Sequence, residues 1–158
     1  MGISQVPAPA IGRNWVEIAS STPTGVGTVS FTSLASYNFY RITYAGNLTT
    51  NAFLYMSLNN SSTNYVSTAI KGNGSWNSVF GSKTGFSFGD TNFDVGQSIS
   101  ITLDNTSGLT TASGTIFSGV AMSGFEGAWF TKEQINRIDL TTSTGSFSTG
   151  TIKIYGSM

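Results

Sequence analysis

Near neutral pH this chain can do acid–base chemistry only through its carboxylates, because it contains neither His nor Cys. The missing imidazole removes the usual general base, and the missing thiol removes both a nucleophile and the soft metal ligand. Two carboxylates facing each other across a sugar can still hydrolyse a glycosidic bond. The available acids are Glu17, Asp90, Asp94, Asp104, Glu126, Glu133 and Asp139, and only Asp90 and Asp94 lie close together in sequence. Those two fall in one expected loop, so the chain reads as non-enzymatic, with no catalytic residues and no cofactor. The stretch Asp90-Thr91-Asn92-Phe93-Asp94-Val95-Gly96 sets oxygen ligands at alternate positions, like the first half of a calcium loop. It has Val95 where the sixth-position Gly belongs and Ile101 where the twelfth-position Glu belongs. Asp and Asn gather in loops for turn chemistry alone, and the expectation for residues 90–96 is no metal.

The aromatic side chains offer a different chemistry, stacking. Trp15 and Trp129 have apolar neighbours and read as core or subunit-interface residues. Trp76 lies between Gly74-Ser75 and Asn77-Ser78, a loop-like context in which an indole can meet a glycan. Core and glycan contact stay open for it.

Seven basic and seven acidic residues cancel, and only 9% of the chain is charged. Nucleic-acid binders concentrate Lys and Arg to neutralise phosphates; here the basic residues are scattered, so no nucleic-acid partner is expected. A surface with so little charge favours association, and the chain is expected to form oligomers. No run approaches the ~20 apolar residues of a membrane helix, and Met1–Gln5 has neither the basic start nor the apolar middle of a signal peptide. Synthesis in the cytoplasm without a membrane partner is the expectation.

The elements that hold these side chains read as strands. Gly, Ser, Thr and Asn fill the polar positions and disfavour helix. Period-two alternation is clear in Thr28–Thr32, Ser98–Leu103 and Thr151–Tyr155. Further strands are expected near Trp15–Ala19, Tyr37–Ala45, Phe53–Leu58, Tyr65–Ile70, Phe86–Phe88, Thr115–Met122 and Ile135–Leu140. Turn signals such as Asn59-Asn60-Ser61, Gly72-Asn73-Gly74 and Asn105-Thr106-Ser107-Gly108 separate them. Thr131-Lys132-Glu133-Gln134 matches a capping box and predicts one helical turn. At 158 residues the chain fits a single domain. The expected fold is all-β, an antiparallel β-sandwich with jelly-roll-like character, over residues 14–158. Residues 1–13 differ: Val6-Pro7-Ala8-Pro9-Ala10-Ile11 reads as an extended arm.

One stretch of motifs resembles a known family. Trp15-Val16-Glu17-Ile18-Ala19-Ser20, Tyr37-Asn38-Phe39-Tyr40-Arg41-Ile42 and Leu58-Asn59-Asn60-Ser61-Ser62-Thr63-Asn64-Tyr65 are similar to segments of small tail-fibre-like and capsid-decoration proteins of tailed bacteriophages. The most specific part is the close: Ile135–Leu140, then Gly145-Ser146-Phe147-Ser148-Thr149-Gly150, then a strand ending Tyr155-Gly156. The resemblance implies a homotrimeric jelly roll that is a virion component. Members of that family sit at different places in the particle; the single domain with a short, proline-containing arm and no separate fibre shaft points first to a capsid decoration (cement) protein on the outer capsid surface, made in the host cytoplasm. The major capsid protein is then its partner, and Ile3, Val6, Pro7, Pro9 and Ile11 its docking arm. The alternative is a tail-fibre or receptor-binding module that recognises host surface polysaccharide, with Trp76 as the glycan contact.

Overall fold

The computed structural model describes residues 13–50, 52, 54–71, 76–88, 97–106, 108–118 and 121–158, with the strand backbone but not the side chains for 69–71, 76–83, 97, 118 and 121. These residues form β1 (Val16–Ser21), β2 (Thr28–Phe31), β3 (Phe39–Leu48), β4 (Leu54–Leu58), β5 (Tyr65–Lys71) and β6 (Trp76–Lys83). β7 (Phe86–Ser87), β8 (Gln97–Asp104), β9 (Thr110–Ser118), β10 (Ala121–Trp129), β11 (Ile138–Thr142) and β12 (Phe147–Ser157) complete the order. No helix occurs among the described residues. The strands form two antiparallel sheets, one ordered β1-β12-β3-β8-β9-β10-β5-β6 and the other β2-β11-β4-β7. Both contribute to one hydrophobic core, which is the sandwich arrangement expected of the alternation.

Alternation decides which face each strand buries. Tyr40, Ile42 and Tyr44 of β3 point inward while Arg41, Thr43 and Ala45 point outward; Ile99, Ile101 and Leu103 of β8 and Ile152 and Ile154 of β12 join them. From the smaller sheet Leu54, Met56 and Leu58 of β4 and Ile138 and Leu140 of β11 face back. A chain of aromatic rings ties the sheets together. Tyr65 stacks on Trp129 at 5.8 Å, Phe86 meets Tyr65 edge-on at 5.0 Å, and Phe125 packs edge-on against both Phe86 and Phe88. Such pairs add about 0.5–1.5 kcal/mol each beyond their buried area. Ser67 extends the link: its Oγ accepts from Ser87 N at 3.1 Å, which draws β5 of the large sheet against β7 of the small one.

The strands depart from the expected ones most clearly in three places. The run expected at Thr115–Met122 straddles two strands, β9 and β10, which pair in register from Ala121↔Ser118 to Trp129↔Thr110. Gly114, Gly124 and Gly127 interrupt the alternation there and hide the hairpin. Trp76 opens a strand, β6, rather than lying in a loop, and β6 is ordered by pairing with β5. The run expected from Ile135 begins only at Ile138.

The helical turn expected at Thr131–Gln134 is absent, for a reason visible in Asn59. Its Nδ2 donates to Gln134 O at 2.8 Å and to Glu133 Oε2 at 3.2 Å, and its Oδ1 accepts from the backbone N–H groups of Asn136 and Arg137. Glu133 is therefore turned toward Asn59, and the segment is held extended by a side chain more than seventy residues away. Asn59 sits at φ 51°, a left-handed conformation that Asn tolerates better than most residues.

Three buried phenols, Tyr40, Tyr44 and Tyr65, make the fold sensitive to alkali, and burial raises each of them. Tyr44 and Tyr65 are almost fully buried, and burial pushes each up to about 12. In the unfolded chain a phenol ionises near ~10. Their contribution to stability is thus fully present below about pH 10 and is lost as pH rises through about 12. Urea midpoints are expected to hold steady to about pH 10 and then fall steeply toward pH 12; Tyr65→Phe should flatten part of that fall.

Candidate functional site

The described carboxylates are mostly engaged by neighbouring side chains and backbone. Glu17 Oε2 accepts from Lys153 Nζ at 2.9 Å on the outer face of β1 and β12, and this neighbour raises the Lys153 ammonium above its ordinary value. Asp104 accepts from Thr106 N and Oγ1 within its own turn. Glu133 is bound to Asn59. Asp139, 5% exposed, accepts from Arg137 Nε at 3.0 and 2.9 Å, and Arg137 Nη2 reaches Ser30 Oγ at 3.2 Å, pinning β11 to β2. Glu126 stands exposed on β10.

The cross-strand row Glu17–Tyr155–Arg41–Thr102–Ser113–Glu126 puts Glu17 and Glu126 five strand spacings apart, roughly 24 Å at ~4.8 Å per spacing. Paired glycosidase carboxylates stand about 5–10 Å apart. Among the described residues no three acids gather into a metal site. Asp90 and Asp94 lie outside the described residues, as do Ile3, Val6, Pro7, Pro9 and Ile11.

What the fold does assemble is an outer face rich in hydroxyl groups. The outer face of β8 and β9 presents Ser98, Ser100, Thr102, Thr111, Ser113 and Thr115, with Arg41 of β3 donating to Ser100 Oγ at 3.3 Å. At the end of this face Phe117 (48% exposed) and Met122 (52% exposed) sit directly opposite each other on β9 and β10. Trp129 is fully buried, as its neighbours suggested, whereas Trp15 is only half-buried ahead of β1. Trp76 is the first residue of β6, the terminal strand of the large sheet.

Arg13, the first of the described residues, has a defined seat. The Arg13 guanidinium lies 3.6 Å above the centre of the Phe39 ring, a cation–π contact. Arg13 thus packs on β3, and a lone Arg carried no sequence signal of that contact. Around it, Arg13, Asn14, Val16, Tyr37 and Met158 line a hollow of about 420 Å³. Val16 and Tyr37 also line a second cleft, of about 610 Å³, between β1 and the β2 edge with the turn that follows it. Neither hollow was legible in the sequence, since both arise where distant segments meet.

No protein-family model matches the chain, and no curated protein matches it in sequence. Among the described residues no helix is long and apolar enough to cross a membrane.

Proposed function

We propose that this protein is a structural component of a bacteriophage virion, a capsid decoration protein that binds the outer shell through its N-terminal arm and stabilises it. The observation that carries the reading is the nesting of the strand pairs: β1 with β12, β2 with β11, β3 with β8 and β4 with β7. First-with-last nesting of eight strands in two sheets is the pairing scheme of a jelly roll, an architecture used by viral capsid proteins. β5, β6, β9 and β10 then extend one of its sheets. The weakly charged, hydroxyl-rich outer face and the seat of Arg13 on Phe39 support a contact protein whose arm departs from a fixed point. Ile3, Val6, Pro7, Pro9 and Ile11 supply the arm's contacts to the major capsid protein, and the decoration unit is a homotrimer, which the low charge favours.

Deleting residues 2–11 is expected to leave the body folded and to weaken binding to purified capsids at least about 100-fold, a loss of ~2.7 kcal/mol. Unchanged binding by the truncated protein would rule out the arm. Gold-labelled antibody should decorate virion heads.

A second reading, a tail-fibre or receptor-binding module for host polysaccharide, draws on Trp76 at the rim of the large sheet and on the fact that lectins share the jelly roll. It requires gold at the tail, and it requires Trp76→Ala to cut phage adsorption by at least about tenfold, the effect of losing one stacking contact worth ~1.4 kcal/mol. On the decoration reading Trp76→Ala leaves adsorption unchanged.

A further inference from the structure

The outer face of the large sheet carries two exposed charges that no ion pair among the described residues neutralises, Arg41 on β3 and Glu126 on β10. Both lie in one cross-strand row, Tyr155–Arg41–Thr102–Ser113–Glu126–Thr68, contributed by β12, β3, β8, β9, β10 and β5. Three strand spacings, roughly 14 Å, separate the two charges, and only hydroxyl side chains stand between them. The midpoint of the row falls between Thr102 and Ser113, on the seam of β8 and β9, and that seam is also the middle of the eight-stranded sheet. Counted outward from the seam, the row sets a hydroxyl against a hydroxyl and then a cation against an anion.

A second row has the same property in size. Ala45 of β3, Ser98 of β8, Phe117 of β9 and Met122 of β10 stand in register. Phe117 and Met122 are about half exposed, while Ala45 and Ser98 are exposed small side chains. A two-fold axis lying along the strands at the β8–β9 seam turns each row onto itself end for end. It sets Arg41 of one copy over Glu126 of the other, Phe117 over Ser98, and Met122 over Ala45. Large side chains then meet small ones, and every contact is made twice, as an isologous interface requires. Packed sheets cross at about −30° because they twist. That rotation shifts a contact lying about 7 Å from the axis by ~4 Å, within the reach of Arg and Glu side chains. The six strands from β12 to β5 and the four rows from Ala45 to Phe39 of β3 give a face of about 800 Å² per copy. That is the size of a standard specific interface.

We propose that this face pairs with the same face of a second copy about that two-fold axis, with Arg41 and Glu126 as reciprocal ion pairs and Phe117 and Met122 as apolar anchors. Charge sets the register. Moving the axis onto β8 places Arg41 over Ser113 and Glu126 over Tyr155, and both charges lose their partners. The pairing rests on the sheet face alone and not on the decoration reading. A threefold decoration unit, joined through other surfaces, is doubled by it to six copies.

Sedimentation equilibrium on the purified full chain, with no capsid present, tests the proposal. At ~10 µM, above the dissociation constant expected of an interface this size, the wild type is expected as two copies, or as six where trimers also form. Species of one or three copies overturn the proposal. Arg41→Glu and Glu126→Arg each set like charges against each other at both related contacts, and each is expected to weaken pairing at least about 100-fold. Mixing the two variants in equal amounts is the decisive arm. Each mixed pair regains opposite charges at both contacts, so pairing is expected to return to within about tenfold of wild type. That return also shows that both variants are folded. Variants that stay apart when mixed, or that each associate as the wild type does, overturn the two-fold pairing. Capsid binding is not among the readouts, so loss of the decoration reading and loss of this pairing are told apart.

Discussion

Gly150→Ala should be among the most damaging single substitutions in this protein, with an expected loss of about 3–5 kcal/mol, at the top of the range for point mutations. Gly150 has φ +122°, a conformation that residues with a Cβ rarely adopt. A Cβ built there would lie 2.3 Å from Ala45 O and 2.5 Å from Gly46 Cα. The neighbouring strand is as close from the other side: a Cβ on Gly46, the register partner of Gly150, would meet Thr149 O at 2.1 Å. Both obstacles are backbone, so no side chain can swing away, and relief requires opening the β3–β12 ladder. That ladder runs from Phe147↔Leu48 to Ser157↔Phe39 and lies inside the large sheet. Gly124→Ala is the matched control, since nothing stands within 4 Å of its added Cβ. It is expected to change stability by no more than about 0.5 kcal/mol. Urea unfolding of the two variants checks both numbers, and a wild-type midpoint for Gly150→Ala would contradict the close approach.

Trp129→Ala is the second large effect, expected at about 3–5 kcal/mol. The indole is fully buried at the end of the aromatic chain, stacked on Tyr65 at an interplanar angle of 12°. Tyr65 is itself fixed: its hydroxyl accepts from Leu58 N at 2.7 Å and faces Leu58 O at 3.2 Å. Removing the indole opens a cavity beside a ring that cannot move to fill it, because movement breaks those bonds. Trp129→Phe separates packing from polarity. Trp129 Nε1 meets no hydrogen-bond partner among the described residues, and burying such a donor is unfavourable by about 1–3 kcal/mol. Phe removes that donor and keeps a ring, so its net cost is expected to be under about 1.5 kcal/mol. Equal losses for Ala and Phe would show that the N–H, rather than the stacking, holds this end of the core.

The Asn59 cluster shows how local and distant signals compete. Thr131-Lys132-Glu133-Gln134 carries the residues of a helix start, and the strand-like run Ile135–Leu140 that follows limits it to one turn. The outcome is decided by Asn59, which binds Glu133 and the backbone of Gln134, Asn136 and Arg137. Those groups cannot serve a helix at the same time. A single-sequence reading sees the capping box and not its competitor. Gly114, Gly124 and Gly127 hide a strand rather than suggest a helix, because they lie within paired strands yet carry no side chain to mark a face. Gly127 is small for a tertiary reason: a Cβ there would come 2.8 Å from the Phe86 ring of the facing sheet.

The sequence by itself determined the chemistry and the secondary structure class. Its composition excludes imidazole and thiol chemistry, and its charge balance argues against a phosphate-binding surface. The alternation in β2, β3, β8 and β12 fixes which side chains face inward, because a strand's faces repeat every two residues whatever its partner. Only the tertiary structure decided the partners themselves. Period two names a face and not a neighbour, so the pairing of β1 with β12 and the reach of Asn59 to Glu133 were not written in any local pattern. The same holds for the contacts that give the surface its shape. Arg13 on Phe39, the cleft between β1 and β2, and the separation of Glu17 from Glu126 all depend on the order of strands within the sheets. That order follows from which hydrophobic faces can be buried together, and burial is a property of the whole chain at once.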